Sequence, residues 1–246
     1  MLKSRKEIYK LGKFSETIVD RLAKSMGDLP KDLGKSIMDL LAGEEEEARP
    51  KPTADARTKY LYQNFYYWME IVHSFERLYQ AYCYLQKFPR LCYYNFYHVN
   101  ELSWIRYHIE FFFQQNYIMN QRTVKWIGYL LDRAKHKPGK KATEVRLVRI
   151  RNGVNKGFAD INRIRGQHVH GSTFEQRAFE RAETAAHLAT AMDKRGQKMA
   201  LLAVKNLTLF EIARDWREKV HDNIESMFES YDLILGELVE IITELE

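Results

Sequence analysis

Two arginines and two histidines fall within ten residues, from Asn162 to Gly171, where the chain reads Asn-Arg-Ile-Arg-Gly-Gln-His-Val-His-Gly. Histidine exchanges protons near neutral pH, and arginine grips phosphate with paired donors. The substrate to consider is therefore a phosphodiester. RNA carries its own nucleophile, the 2′-hydroxyl. Cleaving it requires a base for that proton, an acid for the leaving 5′-oxygen, and positive charge on the transition state. A histidine and an arginine supply these without a metal or cofactor. Metal binding by His168 and His170 is disfavoured: residues two apart on a helix point about 200° apart, and no Asp or Glu follows four residues on to complete a ligand set.

Spacing constrains how these groups can meet. Arg165 and His170 are separated by about 140° on an ideal helix, whereas Arg163 and His170, seven apart, share a face. Gly171 ends the expected helix, so His170 is free to leave the ideal path toward either arginine. The unpaired carbonyls of a helix C-terminus favour the imidazolium form, and a neighbouring arginine opposes it.

The surrounding charge is sorted along the chain. From Arg133 to His170 eleven Lys or Arg stand against two acids, Glu144 and Asp160, a local +9 within an overall +6. From Glu211 to Glu246 eleven acids stand against three basic residues, a local −8. Such a distribution steers a polyanion toward one face. Cys83 and Cys92 are too few for a disulfide framework or a zinc site and are expected to be reduced thiols of a cytoplasmic protein. No apolar run is long enough to cross a membrane, and Glu7, Lys10 and Lys13 interrupt what would be the core of a signal peptide.

Only five prolines and twelve glycines punctuate the 246 residues, and no segment alternates with period two, so the expected fold class is all-α. Residues 1–43 form an amphipathic helical appendage, with Ile8, Leu11, Ile18 and Leu22, then Leu33, Ile37, Leu40 and Leu41, near helical spacing. Residues 44–55, four glutamates followed by two prolines, form a linker. The domain at 56–246 is expected to be an up-and-down helical bundle. Its first helix runs from Ala56 to Phe88, with Leu61, Phe65, Trp68, Val72, Phe75, Tyr79 and Tyr82 inward. Two helices follow, at about 97–115 and 121–137, then a Pro138-Gly139 loop. A long helix from Lys140 to His170 has Val145, Val148, Val154, Phe158, Ile161 and Ile164 on its apolar side. Gly153 and Gly157 within it mark close packing or a bend. A further helix capped by Thr173 runs to Met192, and one or two more, from about Gln197 to Leu245, bury Leu201, Val204, Leu207, Phe210 and Trp216 among others. The aromatic run from Tyr60 to Tyr117 reads as core with hydroxyls reaching water; base-stacking platforms are the alternative.

Arg165-Gly-Gln-His-Val-His170-Gly171, near the end of a long helix in an all-α chain, resembles the Arg-x4–6-His motif of the HEPN superfamily. The motif spans about ten residues; by architecture the resemblance covers roughly 56–245. Gly166 and Ile164 follow the two arginines, where the family commonly carries Asn or Asp. The resemblance implies a homodimer with two motifs meeting in a cleft, and metal-independent RNA cleavage through a 2′,3′-cyclic phosphate. It also implies a toxin–antitoxin, abortive-infection or antiviral-defence setting with a partner such as an antitoxin. Carried over, Arg165 binds the scissile phosphate and His170 transfers the proton, with Arg163 and His168 as an overlapping second frame. Asn162 and Gln167 would hold the phosphate or orient a histidine. Arg149, Arg151 and Lys156 would make non-specific phosphate contacts, whose binding weakens with salt. Arg106 and Glu110 are further candidates on an earlier helix. The alternative is a non-catalytic HEPN-like module that binds RNA or protein, in which the arginines pair with the acidic C-terminal helices and the histidines cap a helix end.

Overall fold

The computed structural model describes residues 56–86, 100–163 and 177–246, and every regular element among them is a helix. These are α1 (Ala56–Gln86), α2 (Glu101–His136), α3 (Lys141–Gly157), α4 (Arg177–Ala191) and α5 (Arg195–Leu245). The expected appendage and linker lie outside the described residues, as does the expected cap at Thr173. None of the described helices is long and apolar enough to cross a membrane.

Two boundaries differ from the sequence expectation. The break placed between residues 115 and 121 does not occur, because α2 is one helix of 36 residues. Asn116 and Asn120 suggest an interruption, since asparagine side chains compete for backbone partners. Here the Asn116 amide instead donates to the Phe112 carbonyl one turn back, at 2.9 Å, and the helix continues. Conversely, the single helix expected from Lys140 to His170 stops at Gly157, with a turn at Phe158. Among the described residues no atom approaches within 4 Å of a Cβ built on Gly153 or Gly157, so neither marks a close packing contact there; Gly157 ends α3, while Gly153 lies within it. Residues 159–163 are helical again. The Pro138-Gly139 loop is as expected, with Gly139 at φ 78°, a conformation that suits glycine.

The described residues fall into two compact units. The first comprises 56–73, 120–156 and 228–246. Its core is built on Tyr60, Leu61, Phe65, Trp126, Leu147 and Leu238, all buried. A chain of buried hydrogen bonds ties three helices together there. Trp126 Nε1 donates to Asn64 Oδ1 at 2.8 Å, the Asn64 amide donates to the Tyr60 carbonyl at 2.9 Å, and the Tyr60 hydroxyl donates to the Ile242 carbonyl at 3.1 Å. The Arg133 guanidinium lies 3.9 Å from the Tyr60 ring centre, and its Nε donates to the Leu245 carbonyl at 3.0 Å. A cation is favoured at that point, where the last carbonyls of α5 lack intrahelical partners. The stripe read for α1 is too narrow: Tyr60, Tyr62, Asn64 and Tyr67 are buried beside Leu61, Phe65 and Trp68.

The second unit comprises 74–86, 100–119, 157–163 and 177–227. Asn100 caps α2, its Oδ1 accepting from Ser103 N at 2.8 Å while Asn100 N donates to Ser103 Oγ at 3.2 Å. This is a reciprocal capping box with serine in place of the usual Glu or Gln. Arg106 joins α2 to α4, donating to Glu183 at 2.8 Å with its guanidinium 5.2 Å from the Phe179 ring centre. The sequence assigned Leu207 and Phe210 to the core, but they are 60% and 58% exposed, and Thr208, Leu209 and Ile212 are buried in their stead. Likewise Val145 on α3 is 61% exposed, and Thr143, Leu147, Ile150 and Val154 form its buried face. Val204, Leu207 and Phe210 share one face at three-residue spacing, and so do Val145 and Val148, so an apolar stripe marks a candidate buried side while the packing partner decides which side is used.

Candidate functional site

Of the Asn162–Gly171 window, Asn162 and Arg163 are described; Arg165, Gln167, His168 and His170 lie outside the described residues. Asn162 N donates to the Phe158 carbonyl at 2.9 Å, which restarts the helical pattern after the turn. The Asn162 Oδ1 is buried with no donor among the described residues. Arg163 is exposed and approaches Asp160 at 3.4 Å. An exposed pair one turn apart is worth well under about 1 kcal/mol, so the guanidinium exchanges this contact readily for a phosphate.

Of the three expected phosphate contacts, all in the first unit, one is already engaged. Arg149 pairs with Glu237 at 3.0 Å. One turn earlier Arg146 bridges Glu240 at 2.9 Å and Glu244 at 2.8 Å, and Thr143 Oγ1 donates to Glu244 at 2.9 Å. The two carboxylates raise the Arg146 pKa further above its ordinary value, against a lowering by partial burial. Glu237, Glu240 and Glu244 recur at three- and four-residue spacing and so form one row on α5, set against the basic row of α3. Part of the charge sorting legible in the sequence is thus spent inside the protein. Arg151 and Lys156 have no carboxylate partner among the described residues. Arg151→Gln and Lys156→Gln should therefore each weaken binding to single-stranded RNA and flatten its dependence on log[salt] by roughly 0.7. Arg149→Gln should change that slope by less than half as much. Filter binding from 50 to 300 mM salt measures all three, and equal slopes for the three variants would contradict this division of roles.

The second unit holds a site that sequence reasoning missed. A cavity of about 650 Å³ opens where the end of α1, the start of α2 and residues 206–217 of α5 converge. Tyr84, Trp104 and Phe210 give it aromatic walls, and Gln86 and Asn206 line it as well. Trp104 is fixed by its Nε1, which donates to the Tyr84 carbonyl at 3.1 Å. Glu101 and Arg217 face the same cavity without pairing to each other. Arg217 is held by two carbonyls, its Nε donating to Ala213 at 3.1 Å and its Nη1 to Gln86 at 3.2 Å. The Gln86 carbonyl ends α1, where a cation is electrostatically favoured. Glu101 and Arg217 are over a hundred residues apart, and no local pattern marks them. The aromatic run was the available signal: among its described members half are buried, most of the others are half-buried, and Tyr84 and Tyr107 are exposed.

Behind Trp104 sits His108, 5% exposed, with neither ring nitrogen hydrogen-bonded among the described residues. Tyr84 stacks on it at 4.6 Å between ring centres, with Trp104 at 4.3 Å and Tyr107 at 5.1 Å edge-on. Burial among these rings pushes the imidazole pKa from 6.5 down to about 4.

Compared with protein-family models, curated proteins and solved structures, the chain matches none.

The His108 shift has a consequence for stability. Below pH 6.5 the unfolded chain takes up a proton that the folded chain refuses until about pH 4. Stability is therefore fully present above pH 6.5 and falls as the pH drops through that window, by on the order of 3 kcal/mol for a shift of this size. His108→Phe should remove most of this loss while keeping the ring packing. Urea unfolding at pH 7 and pH 4.5 checks it, and an equal acid loss in the variant would acquit His108.

Proposed function

We propose that this chain is a metal-independent RNA endonuclease of the HEPN type, acting as a dimer in a defence or toxin–antitoxin setting. One observation carries the reading: the doubled Arg-x4-His spacing, Arg163 to His168 and Arg165 to His170, beyond a basic helix in a chain whose described elements are all helices. His170 takes the proton of the 2′-hydroxyl or gives one to the 5′-oxygen, and Arg165 offsets the charge building on phosphorus. The products are a 2′,3′-cyclic phosphate and a 5′-hydroxyl. Arg163 and His168 share or replace those roles, Asn162 and Gln167 orient the reacting groups, and Arg151 and Lys156 hold flanking phosphates. The exposed Arg163 and its weak tie to Asp160 support an arginine available to substrate. The test is incubation of the purified chain with single-stranded RNA in EDTA, with the ends of the products analysed. Cleavage to cyclic phosphate ends is the expected result, and binding without cleavage would end the catalytic reading.

A second reading, a catalytically silent HEPN-like module that binds RNA or protein, has its own support. Arg146 and Arg149 are engaged with the acidic row of α5. In addition, Met199, Val204, Leu207 and Phe210 leave an apolar stripe of α5 exposed, as a partner-binding helix face would be.

A further inference from the structure

We infer that the cavity of the second unit is a nucleotide-binding site, in which a base stacks on aromatic side chains and its phosphate is held by Arg217. The volume of about 650 Å³ lies within the range of small-ligand sites and accommodates one nucleotide. Three kinds of group converge there. Trp104, Tyr84 and Phe210 present ring surfaces, and a nucleobase exposed to water gains about 1–3 kcal/mol by stacking on such a surface. Gln86 and Asn206 carry carboxamides, which offer a donor and an acceptor to a base edge. Arg217 supplies the charge. Its Nε and Nη1 are committed to carbonyls, which orient the guanidinium, and no carboxylate neutralises it among the described residues.

Phe210 is the most telling of these residues. At 58% exposed it forgoes burial that Leu209 and Ile212 obtain on the same helix. Unlike Met199, Val204 and Leu207, which are exposed on the same helix, it also lines the cavity, where an open ring face is available for stacking. Glu101 refines the choice of base, because a carboxylate accepts from ring N–H and amino groups and repels carbonyl edges. Guanine, with N1–H and N2–H2 side by side, is the best match, and uracil the worst.

The same chemistry is offered by a free guanosine monophosphate and by one guanosine of a single-stranded RNA. The site does not depend on the endonuclease reading: a nucleotide-binding cavity stands even where RNA is never cut. The experiment is calorimetric titration of the full chain with GMP, UMP and a guanosine-containing RNA heptamer. Phe210→Ala, whose exposed side chain bears little of the fold, and Arg217→Gln should each weaken binding of the productive probe at least tenfold. Arg214→Gln, an exposed charge on the same helix, should leave it within twofold. Saturable GMP binding identifies the free nucleotide as a ligand, and binding of the heptamer alone identifies the strand; either, lost in both variants, supports the site. The inference is overturned by no saturable binding of GMP or heptamer at millimolar concentration, by binding indifferent to both substitutions, or by UMP binding as tightly as GMP.

Discussion

Replacing His170 with alanine is expected to lower the rate of RNA cleavage by at least about a hundredfold, since a positioned general acid or base contributes roughly 10²–10⁴. RNA affinity should change by less than about threefold, because most of it comes from phosphate contacts made by arginine and lysine. Arg165→Ala should cost a similar factor in rate through a different term, the roughly 3–4 kcal/mol of transition-state stabilisation that one well-placed donor supplies. The two are distinguishable by pH. Loss of the histidine removes one limb of the pH–rate profile, whereas loss of the arginine lowers the whole profile. The overlapping frame makes a sharper comparison possible. If His170→Ala keeps its activity and His168→Ala loses it, Arg163 and His168 are the working pair. Full activity in both single variants and in the double variant would exclude histidine chemistry from the window.

The second large effect is structural. Trp126→Ala should destabilise the protein by about 3–5 kcal/mol, the usual cost of deleting a large buried aromatic side chain. Trp126 is 1% exposed and anchors the chain of hydrogen bonds that runs through Asn64 and Tyr60 to the Ile242 carbonyl. Trp126→Phe separates volume from polarity. It keeps most of the ring but leaves the buried Asn64 Oδ1 without its donor, at a cost of about 1–3 kcal/mol. Asn64→Leu in the Trp126→Phe background removes the stranded acceptor and should recover part of that loss. Chemical denaturation at pH 7 measures all three. A Trp126→Phe variant as stable as the wild type would mean that the buried network contributes nothing beyond packing.

How much of this was legible in the sequence varies by element. The all-helical class was, because long stretches free of proline keep apolar residues three and four apart, and that spacing is local. In α2, Leu102, Ile105, Ile109 and Phe112 recur at that spacing and are all buried. The continuity of α2 was not legible, since an asparagine that caps and an asparagine that bonds back into its own helix are the same letter. The inward side of the first part of α5 was also misread, and that of α3 in part: Val154 and, just beyond the helix end, Phe158 are buried as expected, whereas Val145 is exposed. Valines and leucines occur on both sides of these helices, and the choice depends on what packs against them.

For the chemistry the division is similar. The Arg-x4-His spacing and the sorted charge were determined by the sequence, because they are properties of neighbouring residues. That the basic row of α3 meets the acidic row of α5, engaging Arg146 and Arg149, was decided by the tertiary structure. So was the cavity that joins Glu101, Trp104, Phe210 and Arg217. Each such meeting joins residues from about ninety to well over a hundred positions apart. Helical periodicity says which face of each helix is apolar, but not which helix will lie against it.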